Sequence, residues 1–348
     1  MKGKMKAQMF YAPGDVRFEY TDIPEIKEDE VLVKVKAALT CGTDLKTYRR
    51  GHPTIIEKVP STFGHEFSGD VVEVGKKVTK FKVGDRIVGA NSAPCYECHY
   101  CKQERYSLCE NLHYLNGAYS EYVAIPSHIL KYNFYKIPEN LKYEEAALLE
   151  PLACAVHGAE RVPARTGDFA VVIGAGPIGM MFMKLLSLKG CRVIAVDLSD
   201  DRLEQAHLFG AVATVNAQSE DHIKEVRELC GGYGASLVVE ATGFPNVWEN
   251  AIQMVAKGGT VLAFGGTKKG TSIQIDCQKF HYEEINLKAV YHHTPYHVQM
   301  ALDLLSSGQV CGKDFISGYY PLSKTIDALE KISKQEGIKY AILPEIEE

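Results

Sequence analysis
The chain has 348 residues, 46% hydrophobic and 24% charged, with a formal net charge of -5. That length fits about two domains with cores of their own, and a mildly acidic balance without a basic block excludes the electrostatic footprint of a nucleic-acid binder. No run approaches the roughly 18 apolar residues of a membrane span, and residues 1–10 are basic without the apolar stretch of a secretory leader.

The first third breaks into short runs of alternating and β-branched residues at 31–37, 67–74 and 86–90, which predict strands, with turns at Gly75, Gly84 and Gly89. Two polar clusters lie among them, Cys41-Gly42-Thr43-Asp44 and Gly64-His65-Glu66. A lone buried cysteine or histidine is more often a satisfied core residue than a ligand, so neither cluster carries chemistry by itself.

Cys95, Cys98, Cys101 and Cys109 are different. Each C-x-x-C step turns two thiolates toward one ion, and the longer excursion returns the fourth, which builds a closed four-thiolate site suited to structural zinc. A bacterial-type iron–sulfur cluster is the rival, but it wants the fourth cysteine sooner and followed by proline, whereas Glu110 follows here.

From about Arg165 the pattern changes. Apolar strand candidates at 169–173, 192–196, 236–240 and 260–264 alternate with helix candidates at 177–188, 200–209, 221–229 and 246–256. Strands buried on both faces and separated by helices predict a doubly wound parallel sheet. Gly174-Ala175-Gly176-Pro177-Ile178-Gly179 follows the first strand directly and opens the first helix. This is the G-x-G-x-x-G phosphate turn of a dinucleotide site: a tight turn at Gly174, backbone access to the pyrophosphate at Gly176, and close helix–strand packing at Gly179. Asp197 ends the second strand, where a carboxylate accepts from ribose hydroxyls and repels a 2′-phosphate, so NAD is expected over NADP. Arg202 follows nearby, either as a cofactor contact or as a solvated residue of the next helix.

Residues 287–291 read as one more strand of that sheet. The tail holds a helical stretch at 298–305 and strand-like pieces ending at 340–343, and is expected to return to the first domain. Metal spacing and the missing leader point to a reduced, cytoplasmic protein. Cys154, Cys191, Cys230, Cys277 and Cys311 are then expected to pack as small buried hydrophobes.

Taken in order, these motifs resemble the zinc-dependent medium-chain dehydrogenases of the alcohol, sorbitol and threonine dehydrogenase superfamily. The pattern G-H-E-x-x-G-x5-G-x-x-V is met by Gly64, His65, Glu66, Gly69, Gly75 and Val78, and the cysteine lobe, Gly84-Asp85-Arg86 and the glycine turn follow in family order. The resemblance covers essentially the whole chain. It implies an α/β fold: a GroES-like β-rich catalytic domain over 1–153 with the zinc lobe at about 92–112, a Rossmann domain over 154–291, and a return to the catalytic domain over 292–348. It implies a catalytic zinc held by Cys41, His65, Glu66 and Glu150, with Glu150 reaching the metal directly or through water, and Asp44 hydrogen-bonding His65. Thr43 would carry the substrate proton, and Thr43, Glu66 and Lys46 are the expected catalytic side chains. Cofactor contacts would come from Gly174, Gly176, Pro177, Ile178, Gly179, Asp197 and Arg202.

One departure stands out. Lys46 occupies the position where family members often carry a relay histidine. It could relay a proton, steer an anionic substrate such as an aldonate, or remain solvated. The Glu66/Glu150 pairing resembles the polyol branch, and His292 and His293 fall near where that branch contacts its substrate. The leading expectation is therefore an NAD- and zinc-dependent dehydrogenase of polyols or sugar-derived secondary alcohols, acting on a small molecule as a homo-oligomer, a tetramer by family habit, with no nucleic-acid or membrane partner. A threonine-type amino-acid dehydrogenase is the alternative, disfavoured by Lys46. A zinc-ribbon interaction module is the remaining one, opposed by the acidic balance.

Overall fold
The computed structural model describes residues 2–52, 56 and 58–346. The chain divides into two compact units, residues 1–153 with 294–348, and residues 154–293.

The second unit is a six-stranded, wholly parallel sheet. Its spatial order is Ala211–Asn216, Arg192–Asp197, Phe169–Ile173, Ala235–Glu240, Val255–Ala263, Asn286–Ala289. In sequence terms that is 3-2-1-4-5-6, the doubly wound order whose switch point lies beside the first strand. The central strands are apolar because helices cover both faces; Val171, Ile194, Val238 and Val261 are fully or almost fully buried in one core. Two details differ from the sequence reading. No strand was expected at Ala211–Asn216, because an edge strand needs no continuous apolar run and this one buries only Ala211 and Val215. The fourth helix ends at Met254, and the chain passes straight into the strand Val255–Ala263, whose register shift between Ala235 and Leu237 absorbs the Lys257-Gly258-Gly259 segment.

The first unit is β-rich. Its main sheet runs Phe134–Lys136, Arg86–Gly89, Phe67–Val74, Val31–Leu39, Lys339–Leu343, Ile316–Pro321, with Tyr122–Ile125 also pairing along Val31–Leu39. Gly89, expected in a turn, is instead the last residue of its strand and pairs with Phe134. Val33, Val35, Phe67, Ile87 and Ile342 form the core beneath this sheet.

The three central strands matter most. Val31–Leu39 is flanked by Phe67–Val74 on one side and by Lys339–Leu343, from the far end of the sequence, on the other. Register pairs Ala38 with Phe67 and Leu39 with Ala341. Carried past the strand ends, those registers bring His65 level with Thr40 and Lys339 level with Cys41. One end of three neighbouring strands thus gathers residues from three distant parts of the chain.

Candidate active site and metal centres
Cys41 caps the helix Gly42–Arg50: its backbone is extended and its Sγ accepts the Thr43 N–H at 3.4 Å. Asp44 in the first turn and Arg49 and Arg50 in the last suit the helix dipole, and Gly51, at φ 73°, ends the helix.

His65 and Glu66 immediately precede the strand Phe67–Val74 and are 4% and 0% exposed. Ligand atoms of Cys41, His65 and Glu66 all lie within 4.8 Å of one another. Asp44 Oδ1 lies 2.9 Å from His65 Nδ1, which leaves Nε2 as the ring nitrogen for Cys41 or a metal. Burial alone would lower the imidazole pKa, but the Asp44 carboxylate and the Cys41 sulfur outweigh it and hold it well above its ordinary value.

Lys339 was not expected from sequence. It is the first residue of its strand, 1% exposed, and its Nζ lies 2.5 Å from Glu66 Oε2 and 2.8 Å from the Thr40 carbonyl. Burial opposes its charge, yet Glu66, then Cys41, and also Glu150 raise its pKa. The other oxygen, Glu66 Oε1, is buried with no hydrogen-bond partner among the described residues. An orphaned carboxylate oxygen costs free energy unless a cation or donor meets it, and this one belongs to a group of metal-ligand atoms. Glu150, in the first turn of the helix Leu149–Glu160, is buried but not one of the three convergent ligands. Around one lysine the site thus collects Cys41, Glu66 and Glu150, while Asp44 meets the His65 ring. That donor set fits zinc, which takes sulfur, imidazole and carboxylate together.

Tyr119 is the second residue that sequence did not reveal. Its hydroxyl lies 2.7 Å from Asp44 Oδ2. Burial, then the Asp44 charge, raises its pKa well above the ordinary value, so it remains a phenol and a donor. Thr43 is half-buried, and its hydroxyl makes no hydrogen bond among the described residues. Lys46 is exposed and forms no ion pair among the described residues.

The cysteine lobe gathers four sulfurs within the same 4.8 Å limit. Cys95 Sγ to Cys101 Sγ and Cys98 Sγ to Cys109 Sγ are each 4.0 Å. A tetrahedron with zinc–sulfur bonds of about 2.3 Å has edges of about 3.8 Å, so the four are already at metal spacing. Backbone amides aim at the sulfurs: Glu97 and Cys98 N–H at Cys95, Cys95 and Asn111 N–H at Cys109. These donors, Glu97 first, draw the Cys95 thiol down to about 6, whereas burial pushes Cys101 up to about 12. Of the other cysteines, Cys191 and Cys230 are buried as expected, but Cys154 and Cys311 are only half-buried. Cys277 is exposed, because it opens the short surface helix Cys277–Tyr282 capped by Asp276.

In the second unit, Gly174 sits at φ 96°, and a Cβ on Gly179 would stand 1.7 Å from the Gly174 carbonyl oxygen, so the helix Pro177–Leu188 packs there only as glycine allows. Pro177 and Ile178 begin that helix. Asp197 Oδ2 accepts the Ala175 N–H at 2.7 Å and Oδ1 the Ser199 N–H at 3.0 Å, which fixes the carboxylate beside the turn with lone pairs to spare. The space over Gly176 is open, and its nearest neighbour is Arg202 Nη1, 3.9 Å from where a Cβ would be. Arg202 Nε is buried without a partner among the described residues. A cation with an orphaned donor beside a glycine turn fits an anionic group such as a pyrophosphate.

Comparison with known proteins agrees with this geometry. Residues 27–139 match the alcohol dehydrogenase GroES-like domain, and residues 177–307 match the zinc-binding dehydrogenase family. Sorbitol dehydrogenase of Bacillus subtilis is 31% identical over 98% of this chain and 97% of its own length. The chain belongs to the zinc-dependent medium-chain alcohol dehydrogenases. D-arabitol-phosphate dehydrogenase of Enterococcus avium is 32% identical over 98% of each chain. The solved structure of a zinc-binding dehydrogenase from Sinorhizobium meliloti 1021, bound to NADP, matches with a TM-score of 0.90 at 28% identity, covering 98% of this chain and 100% of that one. This dehydrogenase is therefore an oxidoreductase that uses zinc and a nicotinamide cofactor on small-molecule alcohols. Among the described residues, no helix is long and apolar enough to cross a membrane.

Proposed function
We propose that this dehydrogenase transfers hydride from a secondary alcohol of a polyol or sugar derivative to NAD. The observation that carries the reading is the convergence of the ligand atoms of Cys41, His65 and Glu66 within 4.8 Å of one another, with Glu66 Oε1 buried and without a partner among the described residues. The similarity to a sorbitol dehydrogenase and a D-arabitol-phosphate dehydrogenase favours polyols over amino acids.

Cys41, His65 and Glu66 would hold the catalytic zinc, and Cys95, Cys98, Cys101 and Cys109 a second, structural one. Zinc at the first site supplies Lewis acidity, on the scale that takes water from a pKa of about 16 to about 7. Thr43, whose hydroxyl stands two residues from Cys41 without a partner among the described residues, receives the substrate proton. Asp44 holds the His65 ring, and Lys339 holds Glu66. Glu150 contributes to the field at Lys339. Gly174, Gly176 and Gly179 bring the backbone to the pyrophosphate, Arg202 faces it, and Asp197 accepts from the adenosine ribose. That carboxylate supports NAD over NADP, since a 2′-phosphate would meet a fixed negative charge.

Lys46 favours a second reading within the same class. A cation without an ion pair among the described residues, one helical turn beyond Thr43, suits a substrate with a carboxylate or phosphate at its far end. The test is reduced-cofactor formation by zinc-loaded protein offered neutral polyols, aldonates, phosphorylated polyols and L-threonine. Turnover of polyols or their anionic derivatives is the expected result, and activity confined to L-threonine would overturn it.

A further inference from the structure
His65 is held by a chain of two buried hydrogen bonds. Asp44 Oδ1 meets His65 Nδ1 at 2.9 Å, and Asp44 Oδ2 meets the Tyr119 hydroxyl at 2.7 Å. The same hydroxyl lies 2.9 Å from the Leu39 carbonyl oxygen. Tyr119, Asp44 and His65 are 0%, 3% and 4% exposed, so water does not replace any of these contacts.

The ring of Tyr119 is itself clamped. It packs edge-on against Phe63, with centroids 5.1 Å apart. It also lies so close to Gly64, at φ 90°, that a Cβ there would stand 2.7 Å from the ring. The residue before His65 therefore sets the position of the phenol that acts on His65 from the opposite side. A phenol has one proton, and a charged carboxylate at 2.7 Å outcompetes a neutral carbonyl at 2.9 Å for it. The carbonyl then fixes where the oxygen sits, and Asp44 takes the donor.

We propose that Tyr119 is a positioning residue for the catalytic metal: its hydroxyl fixes the Asp44 carboxylate, which in turn holds the His65 ring with Nε2 turned toward Cys41 and Glu66. The proposal rests on the zinc reading above. Partners of a ligating histidine typically govern about 10–100-fold in metal affinity. A group one bond further out governs less, about 3–10-fold by the same scale.

Zinc release into excess chelator tests this without recourse to activity, and the four-cysteine site serves as an internal reference. Tyr119→Phe deletes one oxygen and keeps the ring packing. It is expected to speed release from the Cys41–His65–Glu66 site about 3–10-fold and leave the four-cysteine site unchanged. Asp44→Asn is expected to act more strongly. In the double variant the tyrosine change adds less than about twofold, because the hydroxyl acts only through Asp44. Should Tyr119→Phe fold poorly, 4-aminophenylalanine at position 119 restores a donor and is expected to restore slow release. Unchanged release in Tyr119→Phe, equal acceleration at both sites, multiplicative effects in the double variant, or fast release from the amino analogue would each overturn the proposal. Wild-type protein with the cysteine site filled and the Cys41 site unable to bind zinc would refute the underlying metal reading as well, and wild-type stoichiometry reports that separately.

Discussion

Lys339→Met offers the sharpest energetic test of the site. The substitution removes the charge but keeps most of the side-chain volume. In zinc-free protein it takes from Glu66, 0% exposed, the ammonium that meets Oε2, while Oε1 already has no hydrogen-bond partner among the described residues. Removing one partner of a buried ion pair typically costs about 3–5 kcal/mol, because the remaining charge is uncompensated. At about 2–4 °C per kcal/mol for a unit of this size, the first unit should melt about 6–20 °C lower. Glu66→Gln should cost a comparable amount by stranding Lys339, softened by the Cys41 and Glu150 charges that also face it. Combining the two removes both charges and should recover most of the loss, as replacing a whole buried pair is often near neutral. Zinc loading should shrink the Lys339→Met penalty, since the ion would take over compensation of Glu66. The assay is calorimetric or denaturant unfolding of the four proteins, zinc-free and zinc-loaded. A Lys339→Met protein as stable as wild type without zinc, or single effects that simply add, would refute the reasoning.

Three further outcomes are expected. Asp197→Ala should raise relative NADP use at least about tenfold by removing the charge that repels a 2′-phosphate; an unchanged cofactor ratio in steady-state kinetics would contradict that role. Cys98→Ser should lower bound zinc from two ions per chain to one and lower the melting temperature, with zinc measured by mass spectrometry; two retained ions would argue against the lobe site. The third concerns pH. His157 is 3% exposed, and burial lowers its pKa, while its Nδ1 bonds the His292 carbonyl at 2.7 Å. The folded ring resists a proton that the unfolded chain accepts near its ordinary pKa of about 6.5. Its contribution is thus present above that value and is lost as pH falls toward the depressed folded pKa. Melting of the second unit should drop as pH falls below about 6.5, and less steeply in His157→Gln; identical slopes would exclude His157 as the cause.

How much of this was legible in the sequence depended on distance along the chain. The cysteine lobe closes within a short segment, so spacing alone revealed it. The phosphate turn is a local strand–glycine–helix signal, and the alternating strands and helices around it announced the parallel sheet. The edge strand Ala211–Asn216 escaped notice because only one face of it is covered. Cys41, His65 and Glu66, which register brings together, were named through the family resemblance alone, and Lys339 and Tyr119 were invisible. Lys339 meets Glu66 across 273 positions and Tyr119 meets Asp44 across 75. No periodicity in either segment encodes that meeting. It follows from the order of strands in the sheet, and a lysine in the apolar run 339–343 was the only trace of it.

The most direct test of the central claim compares wild type with Cys41→Ala, each assayed for NADH formation on a responsive polyol and for NAD binding by calorimetry. The account predicts that the variant loses turnover while still binding NAD, since the cysteine serves the metal site and the cofactor is held by Gly174–Gly179 and Asp197. Undiminished turnover in Cys41→Ala would contradict it.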